Sequence, residues 1–336
     1  MHSGMLDKLP RMMKAAVVFS PGGPEALEIV EREIPEPVSG EVIIRIRAFG
    51  LNRAELFTRQ GDSGDAVPFP RIIGIECVGE VVAAPDTPFE RGQKVAAMMG
   101  GMGRSFDGSY AEFTRVPQRC VFAIETDLPW AVFGALPEMF QTAIGSIHAG
   151  LRVSKDDSIL IRGGTSSIGL AAASLAKRDG VTVAATTRNP GKTDVLERAG
   201  VDHVIVDDGR SLVEKTFRAL GRGADGVLDL IGTTTLADSL RCAGPGGRVC
   251  MTGILGGEWV WKEFEPLVDI PNGVFLTSYG GGSEDVTAEE LQSYVDDVAA
   301  GNVPVGLDRT FELNEIVEAH RYMEANRAKG KLVVLT

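Results

Sequence analysis

The sequence predicts an α/β protein of two domains: a β-rich, barrel-like domain, and a doubly wound parallel sheet with helices on both faces. Three observations lead there. The chain has 336 residues, more than one ordinary core accommodates. From Met13 to about Leu128 it reads as short β-branched or alternating runs broken by Gly- and Pro-rich turns. After Pro129 short apolar runs alternate with helical segments, the pattern of βαβ units.

In the first part, Ala15–Phe19 and Val42–Arg47 read as strands, with turns at Gly22-Gly23-Pro24 and Pro35–Gly40. Arg71–Ala83 carries Gly74 and Gly79 within an apolar stretch, where glycine signals a bulge or close backbone approach. Ala131–Gly150 reads as buried helices interrupted by Pro137. Strands are then expected at Ser158–Arg162, Val181–Thr186, His203–Val206, Gly226–Leu230, Arg248–Thr252 and Val274–Ser278. Helices are expected at Ser167–Arg178, Lys192–Arg198, Ser211–Leu220 and Leu236–Leu240. Beyond Gly280 come the helix Glu289–Ala300, the strand Arg309–Glu312, the helix Asn314–Ala325 and the strand Lys331–Leu335. This last segment does not read as autonomous and is expected to complete the first domain. The expected partition is 13–128 with 280–336, and 129–279.

Composition excludes several classes. Hydrophobic residues make up 44% and charged residues 24%, the balance of a soluble globular protein. A net charge of -12 argues against a nucleic-acid binder, which gathers Lys and Arg against phosphates. Met1–Met13 has scattered charges and no apolar core of signal length, and no apolar run approaches the roughly 20 residues of a membrane span. Cys77, Cys120, Cys242 and Cys250 fit neither a redox pair nor a zinc knuckle and read as buried thiols in a reducing compartment. A cytoplasmic protein is expected.

The segment Gly163-Gly164-Thr165-Ser166-Ser167-Ile168-Gly169 follows a strand and opens a helix. A dinucleotide pyrophosphate needs that order: small residues admit the backbone, and the helix N-terminus offers unpaired N–H groups. Gly164, Thr165, Ser166, Ser167 and Ile168 are its candidate phosphate contacts, although Ser167 stands near a place where glycine is usual. An NAD site carries an acid at the end of the second strand to accept from the ribose 2′-hydroxyl. Here Thr186-Thr187-Arg188-Asn189-Pro190-Gly191-Lys192 stands instead, with no acid before Asp194. Thr187, Arg188 and Lys192 would suit the 2′-phosphate of NADPH. Hydrogen bonds to charged groups contribute about 1.5–3 kcal/mol each, so the pair of cations implies tenfold to several-hundredfold preference. Ile231, after the fourth strand, and Gly253, Ile254 and Leu255, after the fifth, would line the same crevice.

The sequence resembles the medium-chain dehydrogenase/reductase superfamily, and within it the zinc-independent quinone oxidoreductase-like (zeta-crystallin-like) enzymes. The resemblance lies in Gly50-Leu51-Asn52 with Arg59 and Gly61, in Gly74-Ile75-Glu76-Cys77-Val78-Gly79 and in Gly108-Ser109-Tyr110-Ala111-Glu112. It continues through Gln141-Thr142-Ala143, the glycine segment and Gly330-Lys331-Leu332. It implies a GroES-like β-barrel catalytic domain around an inserted Rossmann domain, and a homodimer paired through the last Rossmann strand near Val274–Ser278. Zinc-dependent members bind catalytic metal at positions that match Asn52 and Ile75. Asn is a poor zinc ligand and Ile none, so no metal is expected. By similarity Asn52 reaches the nicotinamide ribose or the substrate carbonyl, and Thr142 the nicotinamide end. Where such enzymes carry tyrosines this chain has Phe57, Asp62, Ser63 and Asp207, which leaves the substrate pocket open.

Other candidates read as structural. His148, His203 and His320 show no partner in the pattern, Tyr110 suits strand packing, and Glu55 is expected to orient Arg53 or Arg59. Gly280-Gly281-Gly282 reads as a loop rather than a second cradle. Without a Lewis acid to ease alcohol deprotonation, the expected chemistry is hydride transfer from NADPH to a quinone or α,β-unsaturated carbonyl. Asn52, a backbone N–H or a water would stabilise the oxyanion. The alternatives are a zinc alcohol dehydrogenase with atypical ligands and a non-catalytic NADPH-binding protein.

Overall fold

The structure is a computed structural model describing residues 10–336. The first nine residues, part of the segment read for a targeting signal, lie outside that range. Two compact units are present. One comprises the chain up to Glu138 with Thr287–Ala299 and Leu307–Thr336; the other comprises Met139–Val286 with Ala300–Gly306.

The first unit opens with β1 (Met12–Val18), β2 (Leu27–Glu33) and β3 (Glu41–Gly50). Helix α1 (Arg53–Gln60) follows and stops at Gly61, whose φ of 89° lies in the left-handed region that glycine tolerates. Then come β4 (Arg71–Ile72), β5 (Glu76–Ala83), β6 (Lys94–Met98), β7 (Phe113–Pro117) and β8 (Val121–Ala123). Val42, Ile43, Ile44, Ile46, Ala48 and Phe49 of β3 are all buried, as expected of a strand covered on both faces. Short helix α2 (Trp130–Phe133) leads to α3 (Pro137–Gly145), which loosens into a π-turn at Ser146–Leu151. Pro137 opens α3 at a position where its missing N–H costs nothing.

The second unit is a βα alternation: β9 (Ser158–Arg162), α4 (Ser167–Arg178), β10 (Thr182–Thr187), α5 (Thr193–Arg198), β11 (His203–Val206) and α6 (Leu212–Leu220). It continues with β12 (Ala224–Asp229), α7 (Leu236–Cys242), β13 (Ala243–Met251), α8 (Pro266–Asp269) and β14 (Phe275–Ser278). The strands form one parallel sheet in the order β11-β10-β9-β12-β13-β14. Strand order reverses at β9, so the crevice where such sheets bind ligands opens beyond its carboxyl end. β13 starts five residues before the expected Arg248, because Ala243 pairs with Ala224 ahead of a bulge through Gly244–Gly247. That Gly/Pro stretch looks like a turn in sequence and is pairing backbone in space.

The chain then forms α9 (Ala288–Ala299), β15 (Leu307–Glu312), α10 (Ile316–Glu324) and β16 (Lys331–Leu335). β16 pairs antiparallel with β3, Val333 opposite Gly50, giving the order β15-β16-β3-β5-β6-β8 with β7 also on β3. A smaller sheet has the order β2-β1-β4. Phe311, Ile316, Leu332 and Val334 join the N-terminal Val17, Ile43 and Phe49 in one core. No helix among the described residues is long and apolar enough to cross a membrane.

Phe311 is 2% exposed, and its truncation to Ala leaves a cavity in the first unit's core. Chemical denaturation is expected to show Phe311→Ala less stable by about 3–5 kcal/mol.

Candidate functional site

In the second unit, the turn between β9 and α4 presents a capped helix N-terminus. Ser166 caps α4 by accepting from Gly169 N at 3.1 Å, and its hydroxyl donates to Gly163 O at 2.8 Å. The N–H groups of Ser167 and Ile168 have no acceptor among the described residues and emerge at the positive end of the helix. Glycine at 169 is required: a Cβ there would lie 2.6 Å from Gly163 O and 2.7 Å from Gly164 O. Gly164 N donates to Thr186 O at 3.1 Å, tying the turn to the end of β10.

The expected neighbours converge on this turn. A Cβ on Gly163 would lie 3.1 Å from Ile231 Cδ1 and 3.3 Å from Leu255 Cδ1. Asp229, at the end of β12, holds the first of these loops by accepting from Ile231 N at 2.8 Å and Gly232 N at 2.9 Å. Gly253 packs on Leu230, with Ile254 beside Gly232. Thr142 of α3 is 8% exposed; Ser146 donates to its carbonyl and meets Thr252 Oγ1 at 2.9 Å, so the helix is pinned to the loop after β13.

At the end of β10, Thr187 Oγ1 shapes the turn by accepting from Asn189 N at 3.2 Å. Arg188 is exposed, Lys192 is partly exposed, and neither has an acid partner among the described residues. Asp194 is engaged by Arg198 at 2.9 Å. Asp207, beside this strand end, is neutralised by the buried Arg162 at 2.8 Å. The residues present therefore fit a dinucleotide carrying an extra phosphate on its ribose.

The first unit holds a second constellation, centred on Asn52. Lys331, 2% exposed, donates to Glu76 Oε1 at 2.7 Å, Asn52 Oδ1 at 2.5 Å and Glu138 Oε2 at 3.3 Å. A lysine ammonium only donates, so Asn52 Oδ1 is an acceptor and its amide hydrogens face the carboxylates. They meet Glu76 Oε1 at 3.0 Å and Glu55 Oε1 at 3.3 Å. Burial alone would lower the Lys331 value, but Glu76 and Glu138 outweigh it and hold the ammonium charged. Gly50 has no side chain because a Cβ would strike Glu76 Oε1 and Lys331 Cε.

Glu55 is 1% exposed. It does not orient Arg53 or Arg59 as the sequence suggested. Its Oε2 accepts from Asn52 N at 2.5 Å and Tyr110 Oη at 3.0 Å, and its Oε1 from Ile75 N at 3.0 Å. Burial pushes its carboxyl up to about 7, against the backbone donors that favour ionisation. Tyr110 lies in the turn before β7 rather than in a strand. Its hydroxyl also meets His320 Nε2 at 2.9 Å, and His320 Nδ1 meets Arg59 Nη1 at 2.9 Å. His320 thus has two partners that no sequence pattern announced, since each lies more than 200 residues from it in the chain. Burial, with the Arg59 charge behind it, lowers its imidazole to about 3. His148 pairs with Asp179 at 2.8 Å on the surface. Gly282, in the loop read from its glycines, accepts from Gln141 Nε2 at 3.0 Å through its carbonyl. The four cysteines are buried and none is in a disulfide. Among the described residues no group of three or more His, Cys, Asp or Glu is arranged to hold a metal.

Comparison with known proteins identifies relatives of the same fold. Residues 38–126 match the alcohol dehydrogenase GroES-like domain, and 199–334 match the zinc-binding dehydrogenase model. Mouse quinone oxidoreductase is 26% identical over 346 residues, covering 97% of this chain and 98% of its own. The crystal structure of AibC superposes with a TM-score of 0.88 at 26% identity, covering 100% of this chain and 99% of its own. A mycobacterial protein solved with NADPH has the same fold, with a TM-score of 0.84 at 24% identity over 96% of this chain and 100% of its own. The chain is a quinone oxidoreductase-like protein of the medium-chain dehydrogenase/reductase superfamily, and these relatives support an oxidoreductase.

Removing the Lys331 ammonium leaves buried carboxylates uncompensated, a loss of about 3–5 kcal/mol for an ion-pair partner. Lys331→Met is expected to lower stability by that order in denaturant melts. Glu76→Gln in the same chain is expected to recover part of the loss.

Proposed function

We propose that this protein is an NADPH-dependent oxidoreductase that reduces a quinone or an α,β-unsaturated carbonyl without zinc. The observation that carries the reading is the end of β10, where unpaired Arg188 and Lys192 lie next to the cradle and no free carboxylate does. In this reading Gly164, Thr165, Ser166, Ser167 and Ile168 hold the pyrophosphate. Thr187, Arg188 and Lys192 hold the 2′-phosphate, while Ile231, Gly253, Ile254, Leu255 and Thr142 line the path to the nicotinamide. The nicotinamide, when bound, supplies a hydride to the acceptor. Asn52 is the residue we assign to the acceptor's oxygen, and solvent supplies the proton that completes reduction.

Zinc independence rests on the donor set. Asn52 and Ile75 stand where zinc-dependent relatives have ligands, and Lys331, Glu55 and Glu76 already engage the Asn52 amide. An electron-poor acceptor needs no Lewis acid. The description of the matched 199–334 segment favours a second reading, a zinc alcohol dehydrogenase. Stoichiometric zinc in the purified protein, with activity lost on its removal, would establish that one instead.

We place the protein in the cytoplasm as a homodimer. Buried thiols outside any disulfide suit a reducing compartment. The dimer would pair through β14, an edge strand with Phe275 54% exposed and Leu267 fully exposed nearby.

Stopped-flow mixing of NADPH with a panel of quinones and enones tests the function. Oxidation above background is expected, and its absence with every acceptor defeats the reading. Titration with NADPH and NADH is expected to show Arg188→Ala with Lys192→Ala losing most of the preference for NADPH, tenfold to several-hundredfold at about 1.5–3 kcal/mol per lost contact.

A further inference from the structure

The hydrogen bonds around Glu55 have only one consistent direction. Arg59 is fully buried and can only donate, to Gly22 O, Glu324 and His320 Nδ1. His320 Nδ1 is therefore the acceptor, and its proton sits on Nε2, facing the Tyr110 oxygen. Tyr110 in turn gives its own proton to Glu55. Four donors thus converge on one carboxylate: Asn52 N, Ile75 N, Tyr110 Oη and Asn52 Nδ2. Such a set fits the ionised form. In that state both Asn52 amide hydrogens are committed to Glu55 and Glu76, and neither is free for a substrate oxygen.

We propose that Glu55 is a positioning residue whose protonation releases the Asn52 amide to donate to the acceptor's oxygen, and that the Arg59–His320–Tyr110 chain sets when this occurs. The proposal rests on the assignment of Asn52 to the acceptor made above. A proton arriving on Glu55 must displace one donor. Asn52 N and Ile75 N are fixed backbone. Tyr110 cannot turn back, because His320 Nε2 already carries a proton. The Asn52 amide makes the longest contact, 3.3 Å, and is the side chain free to yield.

The groups facing Glu55 are Tyr110 from its turn, Glu76 of β5, Lys331 of β16 and Glu138 of α3, with His320 of α10 and Arg59 of α1 behind the tyrosine. Burial with the neighbouring Glu76 carboxylate raises Glu55 while Lys331 lowers it, and the balance places the carboxyl at about 7. The proton is therefore bound below that value and lost as pH rises through it.

The test reads Glu55 directly, by carbon-13 NMR of carboxyl-labelled glutamate in the full-length protein, with Glu55→Gln identifying the resonance. Tyr110→Phe removes a donor to the ionised form and is expected to move the midpoint upward by about one pH unit, tenfold in the ionisation constant. If that variant does not fold, His320→Leu, which weakens the same donor, is expected to move it the same way. A midpoint unmoved in the folded variant overturns the chain's role. In parallel, kcat for quinone reduction is expected to rise as pH falls through the wild-type midpoint and to follow it in the variant, with NADPH affinity unchanged. A kcat indifferent to the midpoint overturns the positioning role. Wild-type protein that oxidises no NADPH defeats the functional assignment instead, while the NMR titration still decides the chain.

Discussion

The buried ammonium of Lys331 is the constraint on which the first unit's polar interior depends. It is the counter-charge that touches both Glu76 and Glu138, and it also fixes which way the Asn52 amide faces. Two buried carboxylates without it would repel each other at close range in a medium that screens poorly. β16 is thus held to β3 by main-chain pairing and by charge at its first residue. Gly50 is the accommodation the backbone makes for it.

Much of the fold was legible. β9, α4, β11 and β16 have the bounds the sequence indicated, because strong apolar runs and a cap at Ser166 mark them locally. β13 was misread at its start because pairing, not propensity, makes Ala243–Gly247 extended. The cradle could be read because its signal is contiguous: small residues between a strand and a helix. Its companions Ile231 and Leu255 could be placed because a parallel sheet puts every loop at its carboxyl end on one side.

The surroundings of Asn52 could not be read in the same way. Glu55, Tyr110, His320 and Arg59 are individually ordinary residues on unremarkable elements. Their meaning comes from contacts as far as 261 residues apart in sequence, which no periodicity encodes. Burial then changes what each group is: a carboxyl near neutrality, and an imidazole that stays uncharged. Titration behaviour is a property of the packed unit and has no counterpart in the linear chain.

The link between Lys331 and Asn52 spans 279 residues, nearly the whole chain. During synthesis, Glu55, Glu76 and Glu138 emerge long before the lysine that neutralises them. The second unit, whose strands mostly pair with sequence neighbours, has all of its residues translated before β16 leaves the ribosome. The first unit must wait with an open edge on β3 and acidic groups still in water. The emergence of β16 is therefore also the step that desolvates the carboxylates and closes the sheet.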